Sequence, residues 1–242
     1  ERVEYAMEFV RPEVTVVPVE NHPATRSGSE PFNDPMLPLQ WGLHNEGSSE
    51  IFSTAYAGAD INAFEAWKYA TGNPKVVVAV VDEGVKYTHP DLAANMWTNT
   101  AELNGAEGVD DDENGYVDDV FGFNFYSNKG FSGMKNPAAA DGANHGTHVA
   151  GTVAAVNHNG KGVAGVAGGS GNGDGVRIMS IQIFDGTDNS GLANNAKGIE
   201  YAADMGASVL QNSWGYPTDP AQMSDSVYEQ YYGVEHAALK YF

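Results

Sequence analysis

The chain has 242 residues, 42% of them hydrophobic, no cysteine, and a formal net charge of −20 from 32 acidic and 12 basic residues. This length supports one large domain or two small ones with a proper core, and the absence of cysteine excludes disulfides and thiolate metal sites. The negative charge disfavours nucleic acid and anionic lipid surfaces as partners, and no apolar run reaches the roughly 18 residues of a membrane-spanning helix, so we expect neither nucleic-acid binding nor membrane insertion.

The first part of the chain differs in composition from the rest. Residues 1–20 alternate enough to predict one or two extended strands, and residues 21–36 are rich in Pro, Ser and Asn, as is typical of a linker. The start lacks the basic segment and apolar core of a signal peptide. We therefore predict two units, a short one at 1–32 and a large domain at 33–242.

From about residue 60, apolar strands alternate with amphipathic helices. A helix is predicted at 61–72 with Gly72 as its C-cap, and a strand at 75–82 whose uninterrupted β-branched run indicates burial on both faces. The later elements are a helix at 148–156, a strand at 176–184, a helix at 192–205, a strand at 207–215 and a helix at 224–242. This alternation predicts an α/β fold of three layers, a mostly parallel sheet with helices on both faces.

Candidate functional residues follow from the strand ends and from one unusual helix. Asp82 ends a strand, where parallel sheets carry function, although a lone aspartate there usually caps the next turn. His145 begins a helix whose glycines, Gly146 and Gly151, each cost about 1 kcal/mol against alanine, which indicates close packing against the sheet or a clear approach for a substrate. The positive end of that helix is expected to keep a base in its first turn neutral. A metal site on His145 and His148 is the weaker alternative, because no H-E-x-x-H glutamate and no cysteine complete it.

Two blocks resemble a known family. "VVVAVVDEGVKYTHPDL" at 76–92 and "NHGTHVAGTVAA" at 144–155 are similar to the aspartate and histidine blocks of the subtilisin-like serine proteases (subtilases), and the similarity extends over about 33–242. The resemblance implies that Asp82 is the acid that orients a histidine and that His145 is the general base. His148 is then expected to pack against the sheet.

The resemblance also implies a peptide-binding cleft. Two segments, "NSG" at 189–191 and "NSWG" at 212–215, are similar to the edges between which the family holds an extended peptide as an added strand. The alternative is that they are ordinary turn and strand residues. The candidate substrate-binding residues are Ser190, Gly191, Ser213, Trp214 and Gly215.

An acidic loop predicts calcium as a cofactor. "VDDDENGYVDD" at 109–119 has the D-x-D-x-N-G spacing of an EF-hand loop, but Phe121 at the twelfth position excludes a standard EF-hand. Asp119 could add a further carboxylate, and a solvated acidic turn is the alternative. The candidate ligands are Asp110, Asp112, Asn114 and Asp118. The resemblance implies a second site at Asp34, Asp91 and Asn159, which we expect to tie the N-terminal segment to the core.

The segment that carries the nucleophilic serine in the family has no counterpart in this chain. No "GTSMAAP"-like block follows the histidine, and no "AAGN" strand supplies an oxyanion asparagine. Ser132 precedes His145, and "GGSG" at 168–171 opens no small-residue helix, so we find no catalytic serine in this chain. The sheet is therefore expected to be incomplete at its C-terminal end.

Three interpretations remain. The favoured one is the N-terminal part of a secreted or extracytoplasmic serine endopeptidase that acts on peptide or protein substrates. The others are a serine-less peptide-binding protein and a calcium-stabilised interaction module. "VEYAMEF" near the start resembles the last strand of a subtilase propeptide, which implies that residues 1–20 are the tail of an inhibitory propeptide, that the unit at 1–32 is this tail with its linker, and that a propeptide inhibitor is a further expected partner.

Overall fold

The computed structural model describes residues 30–47, 55–130, 144–184, 192–215 and 222–242. Within these ranges five strands form one sheet. They are β1 (Val77–Asp82), β2 (Gly122–Asn124), β3 (Lys129–Gly130), β4 (Arg177–Gln182) and β5 (Val209–Gln211). Their order across the sheet is β3-β2-β4-β1-β5. Residues 1–29, which hold most of the predicted first unit, lie outside the described residues.

The sheet is mostly parallel, as predicted. β1 pairs in parallel with β4 on one side and β5 on the other, and β2 pairs in parallel with β4. The β2–β3 pair is antiparallel. Because Asp82 lies opposite Gln182 in the β1–β4 register, the carboxyl ends of the two central strands meet at the same edge of the sheet.

Helices cover both faces of this sheet. They are α1 (Ala63–Ala66), α2 (Thr100–Asn104), α3 (Asn144–Ala154), α4 (Leu192–Asp204) and α5 (Asp225–Tyr241), with short 3₁₀ turns at Leu37–Leu39 and Ala93–Asn95. α3 packs on one face of β1 and β4, α4 packs on the other face, and α5 packs against α4. The predicted three-layer α/β fold is confirmed. In the described ranges no helix combines the length and the apolarity that crossing a bilayer requires.

The residues of β1 divide between the two cores. Val78 and Val80 face the core under α3, whereas Ala79 and Val81 face the core under α4, and all four are buried. This burial on both faces is what the uninterrupted apolar run predicts. Full burial of a valine side chain stabilises the fold by about 1.5–3 kcal/mol. Because β1 pairs with a strand on each side and is buried on both faces, it contributes strongly to the stability of the domain.

The predicted helix at 61–72 is wrong in length. α1 ends at Ala66, and the indole of Trp67 turns inward and donates to the carbonyl of Val166 at 2.8 Å. Gly72 is not a helix C-cap. A Cβ there would lie 2.7 Å from the carbonyl oxygen of Ala167 and 2.9 Å from Gly175, so the glycine allows two backbone segments to approach.

Two other boundaries shift. α3 begins at Asn144, four residues before the predicted start at 148, so that His145 lies in its first turn. β5 ends at Gln211, and residues 212–215 leave the sheet. No further strand covers the outer side of β5 among the described residues, and Val209 on it is 45% exposed.

Candidate active site

Asp82 and His145 form a hydrogen-bonded pair at the carboxyl end of β1. The ring nitrogen Nδ1 of His145 lies 2.8 Å from Oδ1 and 2.9 Å from Oδ2 of Asp82. The side chain of Asp82 is fully buried, whereas that of His145 is 51% exposed. Because an ionised carboxylate only accepts hydrogen bonds, Nδ1 carries the proton in this contact, and in the neutral ring Nε2 is the proton-accepting nitrogen.

The main chain after Asp82 is held by three side-chain oxygens. Oδ1 of Asp82 accepts from the N–H of Glu83 at 2.7 Å, so the aspartate also caps its own turn. The hydroxyl of Ser180 on β4 accepts from Val85 N–H, and Oγ1 of Thr147 on α3 accepts from Lys86 N–H, each at 2.9 Å. These hydroxyls fix the turn between the acid and its neighbours. Neither hydroxyl can be predicted from the sequence, because an isolated serine or threonine has no distinctive pattern and its contact depends on how the strands pair.

Gly146 lets the helix approach the acid. A Cβ added to Gly146 would clash with the carbonyl oxygen of Gly84 and would lie 3.1 Å from Cβ of Asp82. A Cβ added to Gly151 would have no neighbour within 4 Å outside its own helix backbone and adjacent residues. Close packing against the end of β1 therefore explains the glycine at position 146. Gly151 borders an open groove along the outer face of α3.

The pKa of His145 is raised, whereas the sequence analysis expects the helix N-terminus to lower it and keep the ring neutral. Its hydrogen bond to Asp82, together with the negative charge of that residue, raises the pKa of His145 above the ordinary value, and the small desolvation of the ring opposes this. The expected effect of the helix N-terminus has the opposite sign. A buried carboxylate in direct contact outweighs the partial charge of a helix end.

His148 is exposed rather than packed against the sheet, so that prediction is wrong. At position i+3 from His145 on α3, it borders the open groove with His89 and Thr147. In the described residues, a cluster of three carboxylates is the grouping with metal-ligand spacing, and it contains neither His145 nor His148. The structure therefore gives the paired-histidine metal site no support.

The predicted substrate-binding segments are only partly described. Ser190 and Gly191 lie outside the described residues. Ser213 and Gly215 are exposed, and the half-buried Trp214 donates its indole N–H to the carbonyl of Val81 at 2.9 Å. The segment 213–215 therefore leaves the sheet beside the end of β1, one residue from Asp82.

The acidic loop is arranged differently from an EF-hand. Carboxylate oxygens of Glu102, Asp112 and Asp119 lie within 4.8 Å of one another. The predicted ligands Asp110 and Asp118 turn toward the main chain instead. Asp110 accepts from Asn114 N–H at 3.1 Å and from Gly115 N–H at 2.7 Å, and Asp118 accepts from Gly108 N–H at 3.1 Å.

Of the four predicted ligands, one belongs to this three-carboxylate cluster and a second donates hydrogen bonds to it. Asp112 is a member, and the amide of Asn114 donates to Asp112 at 3.3 Å and to Asp119 at 3.1 Å. Glu102 is missed by the sequence analysis because it comes from α2, outside the spaced motif. Its carboxylate accepts from the N–H groups of Asp111 and Asp118, so it holds both sides of the loop.

The buried member of the cluster is Asp119. Its carboxylate accepts from the hydroxyl of Tyr201 at 2.6 Å and from the amide of Asn99 at 2.8 Å. Burial raises the pKa of Asp119 to about 6, although these hydrogen bonds lower it. Burial and the adjacent carboxylate raise the pKa of Tyr201, which keeps it a donor. Three carboxylates at this spacing repel each other, and an all-oxygen donor set suits Ca²⁺.

The residues of the second predicted calcium site come together. Asp34 and Asp91 are both buried. Asp34 accepts from the N–H groups of His158 and Asn159 at 2.8 and 3.2 Å, and the amide of Asn159 donates to Asp91 at 2.7 Å. These contacts tie the segment around residue 34 to the loop after α3.

No serine hydroxyl among the described residues is hydrogen-bonded to His145, whose polar contact there is with Asp82. Ser132 lies outside the described residues. The hydroxyl of Ser170, in the "GGSG" segment, donates to Asp174 at 2.8 Å. Ser170 therefore serves its own loop.

A buried aspartate at the end of a central parallel strand, hydrogen-bonded to a histidine in the first turn of a glycine-containing helix, has the geometry of an acid–base pair. The profile of the Subtilase family matches residues 73–240, and the chain belongs to that family.

Two relatives agree with this membership, and one solved structure shares the fold. The chain is 33% identical over 188 residues to Subtilisin-like protease 1 of Plasmodium berghei, covering 76% of this chain and 26% of the relative. It is 30% identical over 165 residues to the Halolysin-like extracellular serine protease Nep of Natrialba magadii, covering 68% and 25%. A serine protease of Aeromonas sobria, solved in complex with a chaperone, superposes with a TM-score of 0.56 at 23% identity, covering 83% of this chain and 29% of that one. The chain thus spans about a quarter of the length of these curated relatives.

Proposed function

We propose that this chain forms the acid–base part of a serine endopeptidase, in which Asp82 orients His145 and His145 is the general base. The observation that carries the proposal is the contact at 2.8 Å between a fully buried carboxylate and a half-exposed imidazole. The nucleophilic serine and the oxyanion asparagine are supplied from outside residues 1–242. Family membership and the protease names of the relatives support this assignment.

The proposed chemistry assigns each atom of the pair a role. Nε2 of His145 accepts the proton of the serine hydroxyl as the hydroxyl attacks the scissile carbonyl, and it then donates that proton to the leaving amine. Asp82 stays ionised, holds the Nδ1–H tautomer and stabilises the imidazolium. The raised pKa of His145 supports this role, because the pair favours the charged ring that forms during the reaction.

The peptide substrate is proposed to bind as an added strand between two edge segments. Trp214 supports this placement, since its indole is fixed to the carbonyl of Val81 beside the acid, and its exposed neighbours Ser213 and Gly215 present main chain to solvent. Ser190 and Gly191 are assigned to the opposite edge on family resemblance alone.

Calcium is the proposed cofactor at two places. Glu102, Asp112 and Asp119 would hold one ion, while Asp110, Asn114 and Asp118 shape the surrounding loop. A bound divalent cation would offset the repulsion between these carboxylates. Asp34, Asp91 and Asn159 would hold the second ion at the contact that ties the N-terminal segment to the core.

Location and partners are inferred from the relatives. One relative is by name an extracellular serine protease, which supports a secreted or extracytoplasmic protein. The Aeromonas sobria protease binds a chaperone in its crystal, which supports a protein partner such as a propeptide for this chain. Protein and peptide substrates follow from the proposed activity.

Two histidine variants of the intact native protein test the proposal in an assay of peptide-substrate hydrolysis. His145→Ala removes the base and should lower kcat/KM by a factor of about 10⁴ or more. His148→Ala, three residues along the same helix and exposed, is the matched control and should retain activity. Hydrolysis that survives His145→Ala would overturn the proposed role. If the intact protein binds peptide but hydrolyses none, the serine-less peptide-binding alternative is correct.

A further inference from the structure

The sequence contains four Asn–Gly pairs, at 104–105, 114–115, 159–160 and 172–173, and all four lie in described parts of the chain. An asparagine followed by glycine is prone to deamidation, because a glycine main-chain nitrogen reaches the preceding side-chain amide without hindrance from a Cβ. In a folded protein the reaction also needs a mobile asparagine side chain and a free glycine N–H. The four pairs differ in both respects.

Two pairs are held tightly. The N–H of Gly115 donates to Asp110 at 2.7 Å, and both ends of the Asn114 side-chain amide are bound, its oxygen to Tyr116 N–H at 2.7 Å. In the other pair, Gly160 N–H donates to Asn33 at 2.9 Å, and the Asn159 amide bridges Asp91 and Lys161. Attack on either side chain requires the loop to open first.

The pair at the end of α2 is held less tightly. Gly105 N–H makes a long hydrogen bond of 3.3 Å to the carbonyl of Glu102. The amide of Asn104 donates to the carbonyl of Thr100 at 2.7 Å, one helical turn earlier. Both residues are exposed, so fraying of the last helical turn is sufficient to free them.

The fourth pair is the least restrained at the atoms that react. Asn172 and Gly173 are exposed, and the Asn172 side chain makes one contact, from its amide to the hydroxyl of Ser170 at 2.9 Å. The Asp174 carboxylate accepts from the N–H of Ser170 at 2.7 Å, whereas among the described residues no acceptor is hydrogen-bonded to the Gly173 N–H. No atom lies within 4 Å of the position a Cβ would take at Gly173.

We propose that Asn172 is the site at which the folded protein deamidates. The Gly173 nitrogen, having lost its proton to hydroxide, attacks Cγ of Asn172. The new C–N bond forms, and the Cγ–Nδ2 bond breaks as Nδ2 takes a proton from water and leaves as ammonia, which regenerates the hydroxide. The resulting succinimide takes up one water and opens at either carbonyl, giving aspartate or isoaspartate. The product adds a negative charge beside Asp174, and the isoaspartate form displaces the Gly173 carbonyl, which accepts from Arg177 at 2.8 Å.

Peptide mapping by mass spectrometry tests this proposal on the intact native protein aged at mildly alkaline pH, both folded and in urea. In urea all four asparagines should convert at comparable rates, which calibrates the assay. In the native chain Asn172 should convert at close to its urea rate, Asn114 and Asn159 at rates lower by about tenfold or more, because their loops must open first, and Asn104 in between.

Two variants complete the test. Asn172→Gln should abolish the fast native conversion, whereas Asn104→Gln, the matched control at another exposed pair, should leave it unchanged. Native conversion at Asn172 as slow as at Asn114, or fast conversion that persists in Asn172→Gln, would overturn the proposal.

Discussion

Trp214 donates its indole N–H to the carbonyl of Val81 at 2.9 Å, and Val81 directly precedes the buried acid Asp82. The hydrogen bond joins the proposed substrate segment to the strand that carries the acid. The proposed substrate segment and the Asp82–His145 pair are therefore connected through one main-chain residue, Val81.

Trp214→Phe keeps the ring and removes the donor, so the Val81 carbonyl loses its partner. We expect a loss of about 1 kcal/mol in unfolding free energy and a lower pKa for His145, because Asp82 is less well aligned. Trp67→Phe is the matched control, since that indole donates to the Val166 carbonyl at 2.8 Å away from the pair. Urea denaturation and an NMR titration of His145 measure both effects. Equal changes in the His145 pKa for the two variants would contradict the connection.

Asp82→Asn should lower the pKa of His145, since the hydrogen bond and charge that raise it are lost. In the parent protein the pair stabilises the fold fully below the unfolded-state pKa of His, about 6.5, and this contribution is lost as pH rises through the raised folded-state pKa. Stability measured by urea unfolding should therefore fall across neutral pH in the parent and change less in Asp82→Asn. Asp225→Asn, on α5, is the control and should follow the parent curve. An unchanged profile in Asp82→Asn would show that the pair contributes nothing.

Gly146→Ala places a methyl group against the Gly84 carbonyl and the Asp82 side chain. Overpacking of this kind destabilises by about 1–3 kcal/mol, and we expect the shift to separate His145 from Asp82 as well. Gly151→Ala is the matched control in the same helix, where open space and better helix propensity should add up to about 1 kcal/mol. Chemical denaturation of the two variants should give opposite signs, and the same sign for both would refute the packing argument.

Removal of calcium with EGTA should lower the melting temperature by about 5–10 °C if the ion is present near a hundred times its Kd. Glu102→Gln and Asp112→Asn should each remove much of this dependence, because their carboxylates lie in the three-carboxylate cluster. Asp110→Asn is the informative control, since its carboxylate faces main-chain N–H groups and its variant should keep the calcium response. A response lost in Asp110→Asn but kept in Glu102→Gln would favour the EF-hand-like ligand set, and an unchanged melt in EGTA would count against both calcium sites.

The sequence was sufficient for the central layer of the fold. The run ending at Asp82 predicts a doubly buried parallel strand because no alternation appears in it, and the structure confirms both the burial and the register. His145 is also predicted to begin a helix, although the helix predicted from the apolar pattern starts three residues later, at 148. The burial of β1 and the helical position of His145 both depend on residues close by in the chain, so the local sequence pattern is enough to predict them.

Features that depend on contacts between residues far apart in the chain could not be predicted from the sequence. Glu102 joins Asp119 from a separate helix, so no spacing rule within the loop could include it. His148 points to solvent because the open groove lies along its side of α3, and a sequence does not show which side of a helix is covered. The raised pKa of His145 depends on contact with Asp82 across 63 residues of chain.

Labelling of the intact native protein with a serine-directed fluorophosphonate tests the central claim most directly. The account predicts label on one serine outside residues 1–242, with labelling abolished by His145→Ala and retained in His148→Ala. Label on a serine within these residues would contradict the proposed source of the nucleophile, and labelling that is indifferent to His145 would contradict the assignment of Asp82 and His145 as the acid–base pair of a serine endopeptidase.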